Sequence, residues 1–385
     1  MSGTSSLPRP LHPFAWWLWA ILVSVAAHGT TNPLLLGAIV AVVCLVTFSR
    51  RGDNPWARGF VVYLALGAVV VVMRIAFRVL FGGGDGPTVL LQLPRIGLPW
   101  WTGGIRLLGP VSLESLLAGA YDGARLATVI ICLGAANSLA NPKRLLAALP
   151  GALYEAGTIL VVAVSVFPQL GSSVVRVTRA RSLRRRPAGT RRQRHRLAEA
   201  LVVPVLSDAL DRSLALAASM DARGYGRHGT ATPRARRWTT AVGLAGLACL
   251  ALGAFSLLSR LVPGPVVAGR FPVIPLGLMA GGVALVGLAM QRAGATVTRT
   301  RYRPLRWRAG EWVAVGSGLG TLVCLALTRA SGDAAVLTPS IFPPTWPVLT
   351  PMLLAGVALA AVPAFATPPP ALSHTRVPST VEGLS

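Results

Sequence analysis

The residues best suited to chemistry in this 385-residue chain are arginines set beside small residues. Two triplets stand out, Ala180-Arg181-Ser182 and Ala222-Arg223-Gly224, each near the end of a predicted helix. An alanine before the arginine allows close backbone approach. The guanidinium can then meet a carboxylate through a two-pronged, charge-assisted hydrogen bond. The pattern suits a helix end that plugs a groove on a soluble partner. It also suits a helix that merely ends on a cation favoured by its dipole. A second constellation lies in apolar surroundings. Asp122 and Arg125 are spaced i,i+3 and can neutralise one another, and Arg74 and Arg78 share a face one turn apart. Arg74 and Arg78 fall in the last two turns of an apolar run, so they are expected to snorkel to the interface.

The familiar catalytic signatures are missing. No Gly-x-x-x-x-Gly-Lys-Ser/Thr loop occurs, and the sole lysine, Lys143, follows Asn141-Pro142. Neither Gly-x-Ser-x-Gly, His-Glu-x-x-His nor a paired acidic site is present. Cys44, Cys132, Cys249 and Cys324 each lie in an apolar run, and the histidines are scattered. The cysteines therefore read as small hydrophobes. Neither a metal site nor a cofactor of the chain's own is expected, and the protein is not expected to be an enzyme.

The helices that must carry the two triplets are legible. Residues 199–223 form a two-faced pattern, with Leu206, Leu210, Leu214, Ala217 and Met220 on one side. Asp208, Arg212, Ser219 and Arg223 gather opposite. Pro204 predicts a kink or the true start, and Gly224 a stop. An earlier helix over about 161–186 has an apolar stripe of Val164, Phe167, Leu170 and Val174, with Pro168 and Gly171 as bend points. Both helices are expected to be pinned by their apolar faces.

Around them the chain is membrane-like. It is 53% hydrophobic and only 13% charged, against about 25% charged in a soluble domain. Apolar runs predict eight spans, near 14–27, 34–48, 60–81, 113–139, 239–259, 272–290, 311–328 and 348–366. The Gly/Pro-rich stretch 82–111 reads as an extramembrane loop with a short hairpin and an interfacial Trp pair. Residues 176–238 hold 16 Arg against Glu199, Asp208, Asp211 and Asp221, about half of the net charge of +25. Such charge marks the cytoplasmic side. The run 151–170 has basic residues on both flanks and is expected to skirt the bilayer, not to cross it. The expected organisation is a four-span bundle (1–140), a cytoplasmic coupling region (141–237), a second four-span region (238–366) and a disordered tail (367–385). The fold class is thus all-α and polytopic. The Ala, Arg and Gly bias points to a GC-rich bacterial genome.

The stretch 213–227, Ser-Leu-Ala-Leu-Ala-Ala-Ser-Met-Asp-Ala-Arg-Gly-Tyr-Gly-Arg, resembles the signature of the T component of energy-coupling factor (ECF) importers. Further pieces resemble the family in order: Leu11-His12-Pro13, Thr31-Asn32-Pro33, Asp122-Gly-Ala-Arg-Leu-Ala127, Asn141-Pro-Lys-Arg-Leu-Leu146 and Pro168-Gln169. The likeness covers about residues 11–250, and the spans beyond about 260 exceed the usual core. It implies a membrane scaffold with long cytoplasmic coupling helices whose ends insert into two ABC-type ATPase subunits. Mg-ATP would be bound by those partners. The motion would pass to a membrane-embedded, substrate-binding S component that takes up a vitamin, metal ion or similar micronutrient. By the same resemblance Arg181 and Arg223 are the ATPase-contacting residues, with Ala180, Ser182, Ala222 and Gly224 around them; Ser182 stands where the family usually has Gly. The implied place is the bacterial cytoplasmic membrane, with both termini inside. Other classes stay open: a self-contained secondary transporter using Asp122, Arg125 and Arg74, or a membrane anchor whose basic block binds anionic lipid or nucleic acid. Few aromatic residues accompany the block, so nucleic acid is not expected as a partner.

Overall fold

The computed structural model describes residues 9–52, 59–81, 86–94, 96–97, 106–149, 153–183, 191–224, 232–259, 266–267, 271–295 and 306–369. The chain opens with α1 (Pro13–His28), α2 (Pro33–Arg50) and α3 (Phe60–Leu80). Short strands β1 (Val89–Gln92), β2 (Ile96–Gly97), β3 (Arg106–Leu107) and β4 (Pro110–Ser112) follow. Next come α4 (Leu113–Leu139), α5 (Pro142–Ala147), α6 (Tyr154–Ser182), α7 (Arg191–Ala222) and α8 (Pro233–Ser259). Strands β5 (Val266–Val267) and β6 (Phe271–Pro272) lead to α9 (Val273–Ala295) and α10 (Ala309–Ala330). The last elements are α11 (Ala334–Leu337), α12 (Pro351–Ala361) and α13 (Pro363–Ala366). Among the described residues, seven helices are long and apolar enough to cross a membrane: α2, α3, α4, α8, α9, α10 and the Ala156–Ala180 part of α6. The protein is an all-α, multi-pass membrane protein.

Local chemistry sets the helix starts. His12 accepts from the Phe14 N–H through Nδ1, and Asn32 Oδ1 accepts from Leu34 and Leu35, with proline at the first helical position each time. Ser112 caps α4 by accepting from the Ser115 N–H. At the other end of the chain, the expected span 348–366 is two short helices, because Pro363 lacks the N–H that would continue α12.

The chain divides into two compact units, residues 1–145 with 304–385, and residues 146–303. The first is a bundle of α1–α4, α10 and α12 around buried Trp16, Trp19, Val23, Ile39 and Val43. Here the expected division changes: α10 and α12 leave the predicted C-terminal region and pack with the first four helices. Gly318 of α10 lies against the Trp19 backbone and Leu22 of α1. Arg9 and the His12 N–H bind Glu311, so α1 and α10 run parallel. Asn32 donates through Nδ2 to the carbonyls of Val336 and Val348, both at 2.9 Å, and Thr30 Oγ1 donates to Leu337 at 2.7 Å. Buried polar groups are thus satisfied across about 300 residues of chain, and the C-terminal helices complete the bundle.

Helices α3 and α4 are antiparallel, with Tyr63 against Gly134, Val71 against Gly123, and Arg74, Ile75 and Arg78 against Gly119. The expected hairpin is present: β1 pairs with β4, and β2 with β3 inside it. Leu108, at φ +60°, donates its N–H to the Leu80 carbonyl at 2.7 Å and ties the hairpin to the end of α3. The expected Trp pair, Trp100 and Trp101, lies outside the described residues, as does the tail from residue 370.

In the second unit α8 and α9 form an antiparallel pair with Gly246 and Gly253 of α8 and Gly282 of α9 at the seam. A Cβ on Gly282 would meet the Gly246 carbonyl at 2.9 Å, so the backbones touch. Helices α6 and α7 form the other pair of this unit.

Candidate coupling site

The pairing of α6 with α7 rests on a carboxylate. Asp208 of α7 accepts a hydrogen bond from the Ser173 hydroxyl of α6. Arg212, one turn on, closes on Asp208 with two prongs, Nε to Oδ1 at 3.2 Å and Nη2 to Oδ2 at 3.0 Å. Arg176 of α6 approaches the same oxygen at 3.9 Å. The Ser173 hydrogen bond, then the two arginines, hold the Asp208 carboxyl below its ordinary range, against the opposing effect of desolvation. Ser173 is 2% exposed.

The face of α7 that meets α6 is the polar one, and its apolar face is left open. Leu206, Leu210 and Leu214 are 56%, 62% and 68% exposed, whereas Val205, Asp208, Ala209 and Arg212 turn inward. The stripe on α6 shifts too, since Val174 is exposed and Leu170, Ser173 and Val177 face inward. Asp208 is the contact that joins the two helices, through the Ser173 hydroxyl and the guanidiniums of Arg212 and Arg176. Helix α7 also begins eight residues earlier than expected and runs through Pro204 without ending.

Each triplet sits at a helix end. Ala180, Arg181 and Ser182 are the last residues of α6, with Ala180 exposed; the side chains of Arg181 and Ser182 lie outside the described set. Ala222 is the last residue of α7 and Arg223 the first beyond it, both exposed. Gly224 takes φ +73° and donates its N–H to the Asp221 carbonyl at 2.8 Å, the left-handed stop that glycine allows without strain. The α7 triplet is therefore an exposed cation on a rigid helix terminus.

The second constellation is in the first unit. Asp122 meets Arg125 at 3.2 Å, as expected, and also Arg78 at 3.7 Å. Arg78 was expected only to snorkel. The signal for its second partner is the Gly119–Gly123 step, which lets α3 come close enough for the arginine to reach across. Arg74 makes no ion pair among the described residues. Sequence reasoning also missed Glu311, which is fully buried and held by Arg9; only the Arg308-x-x-Glu311 cap spacing hinted at it.

The arrangement defines a class, a polytopic helical membrane protein with an extended two-helix element ending on exposed arginine. No protein-family model matches the chain, and no curated protein matches it.

Proposed function

We propose that this protein is the transmembrane coupling (T) subunit of an ECF-type importer, a non-catalytic part that transmits ATP-driven motion. The observation that carries the proposal is the exposed Arg223 at the end of α7, held through Asp208 to a second long helix with the matching triplet at its end. Helix α7 spans about 48 Å at 1.5 Å per residue over its 32 residues. Closing of two ABC-type ATPases on Mg-ATP would displace grooves in which Arg223 and Arg181 are seated. The Asp208 clasp makes α6 and α7 move as one lever, and a membrane-embedded S component, which selects the vitamin, metal ion or similar micronutrient, receives the movement.

The positions of charge support a bacterial cytoplasmic membrane with both termini inside. Arg9, Arg50, Arg51, Lys143, Arg144, Arg306 and Arg308 all fall at the end of the first unit where α1 and α10 begin and α2 and α4 finish. Such an excess selects the cytoplasmic face.

Purification in mild detergent tests the proposal. The wild type should bring two ABC-type ATPases with it, identified by mass spectrometry. Arg223→Glu should lose them and abolish uptake while its level in the membrane stays unchanged. ATPases retained by that variant, or uptake indifferent to their deletion, would refute the proposal; the latter is the behaviour of a self-contained secondary transporter built on Asp122.

A further inference from the structure

A different surface carries a ligand inference of its own, independent of coupling. Arg74 and Arg78 lie in the last two turns of α3, and both stems rest on the glycine step of α4. A Cβ on Gly119 would stand 2.9 Å from Arg78 Cγ, and one on Gly123 3.3 Å from Arg74 Cβ. The step therefore delivers two guanidiniums to the flank of α4 that carries Asp122 and Arg125. Asp122 is shared between Arg125 at 3.2 Å and Arg78 at 3.7 Å. Two arginines thus share one carboxylate, Arg74 stands one turn before Arg78 on the same face, and all these side chains are partly open to the lateral surface. The next carboxylate on α4 cannot help. Glu114 is fully buried and turned into the hairpin, accepting from Thr88 Oγ1 at 2.6 Å.

Guanidinium left facing hydrocarbon is costly, so such groups find an anion or a water path. We propose that Arg74, Arg78 and Arg125 form a binding site for the headgroup phosphate of an anionic phospholipid in the leaflet at the hairpin end. A phosphodiester offers two charged oxygens to the planar forks of arginine. Arginines in the last turns of a span reach the phosphate level by snorkelling. A carboxylate on a partner helix would have to displace it. Asp122 competes with the phosphate for the Arg78 and Arg125 forks.

Photo-crosslinking of the full chain in vesicles reads this directly. The vesicles are phosphatidylcholine doped with a phosphatidylglycerol that carries a headgroup diazirine, and labelled peptides are mapped by mass spectrometry. The wild type should be labelled within 74–81 or 113–125 as well as in the basic stretch 291–308. In Arg74→Gln/Arg78→Gln the first label should fall at least about tenfold, the factor carried by one lost charge-assisted contact. Label on 291–308 should stay, which also reports a correctly inserted chain. Asp122→Asn should keep or raise the label, since it removes the competing carboxylate. The inference is overturned if the wild type is labelled only at 291–308, if a phosphatidylcholine probe labels the site equally, or if Asp122→Asn loses the label. Label that added inorganic phosphate removes would assign the site to a free anion and likewise overturn it.

Discussion

Removing the Glu311 carboxylate should unlock the first unit, and the size of the effect follows from its contacts. Glu311 is fully buried. It accepts from Arg9 Nη2 on both oxygens, at 2.9 and 2.8 Å, from the His12 N–H at 3.2 Å and from the Arg308 N–H at 2.9 Å. In Glu311→Ala the buried His12 N–H loses its acceptor, and the part-buried Arg308 N–H loses one too. Orphaned buried donors cost about 1–3 kcal/mol each, so the pair comes to about 3 kcal/mol once the second is discounted for its exposure. Arg9 is nearly one-third exposed and can return to water, which adds about 0.5 kcal/mol at most. Arg9→Ala should also be costly, about 2–3 kcal/mol, because it strands a buried carboxylate. The double variant should then be no worse than Glu311→Ala alone, since nothing remains to be stranded. Thermal unfolding in detergent, followed by the fluorescence of the adjacent Trp307 and Trp312, measures all three. At roughly 2–4 °C per kcal/mol for a body of this size, Glu311→Ala should melt about 6–12 °C lower. A loss under about 2 °C, or additive losses in the double variant, would refute this account of how the two chain ends are joined.

Other outcomes follow from the same contacts. Gly123→Leu places atoms where Val71 Cα would stand 3.0 Å from a Cβ, so it should force α3 from α4 and lengthen the distance between spin labels at the exposed residues Val62 and Leu133. Asn32→Ala removes both the cap of α2 and the two bonds to Val336 and Val348, and should cost about 2–4 kcal/mol by the same melting assay. Because the Asp208 carboxyl is held below its ordinary value, its contribution is present above the ordinary carboxylate pKa and is lost as pH falls through its lowered one. Spin labels on α6 and α7 should therefore separate only in strong acid, whereas Asp208→Asn should loosen the pair at neutral pH. Leu210→Gln should leave the α6–α7 distance unchanged, since that side chain points away from α6.

The stop at Gly224 depends on neighbours a few residues away and was legible, whereas the caps at His12-Pro13 and Asn32-Pro33, equally local, entered only as points of family resemblance. The ion pair of Arg9 with Glu311 joins residues 302 positions apart, and no periodicity encodes that partner. The place of α10 beside α1 was illegible for the same reason. The amphipathic pattern of α7 was visible, but a helical wheel separates two faces without saying which one meets another helix. Ser173 decides that, and it lies 35 residues upstream. The Asp122–Arg125 pair, being local, was legible; Arg78 joined it through glycines whose role emerges only when α3 and α4 are laid together.

For helix α6, composition and connectivity point in different directions. Its Ala156–Ala180 segment has the length and hydropathy of a span. Connectivity argues otherwise. Helices α1 and α10 are parallel, since residue 12 meets 311 and residue 19 lies against 318. They therefore start on the same side of the membrane. Helix α1, shorter than the seven span-length helices, runs beside α10 from Glu311 to Leu325, so α1–α4 make four crossings and return the chain to that side at Leu139. The pair α8 and α9, antiparallel through Gly246 with Val286 and Gly253 with Met279, crosses out and back and changes nothing. The number of crossings between α4 and α8 must then be even. Helix α7 cannot supply a second one, because between Arg191 and Asp221 it carries Arg191, Arg192, Arg194, Arg196, Glu199, Asp208, Asp211, Arg212 and Asp221. A single crossing by α6 would also put the start of α10 opposite that of α1 and pull Arg9 from Glu311. Helix α6 is therefore expected to lie along the face on which it begins. A cysteine at Leu183, beyond its last residue, should react with a membrane-impermeant thiol reagent from the same side as a cysteine at Lys143. Reaction from opposite sides would mean that α6 crosses, and the proposed ATPase-docking ends would lie on the side away from Lys143.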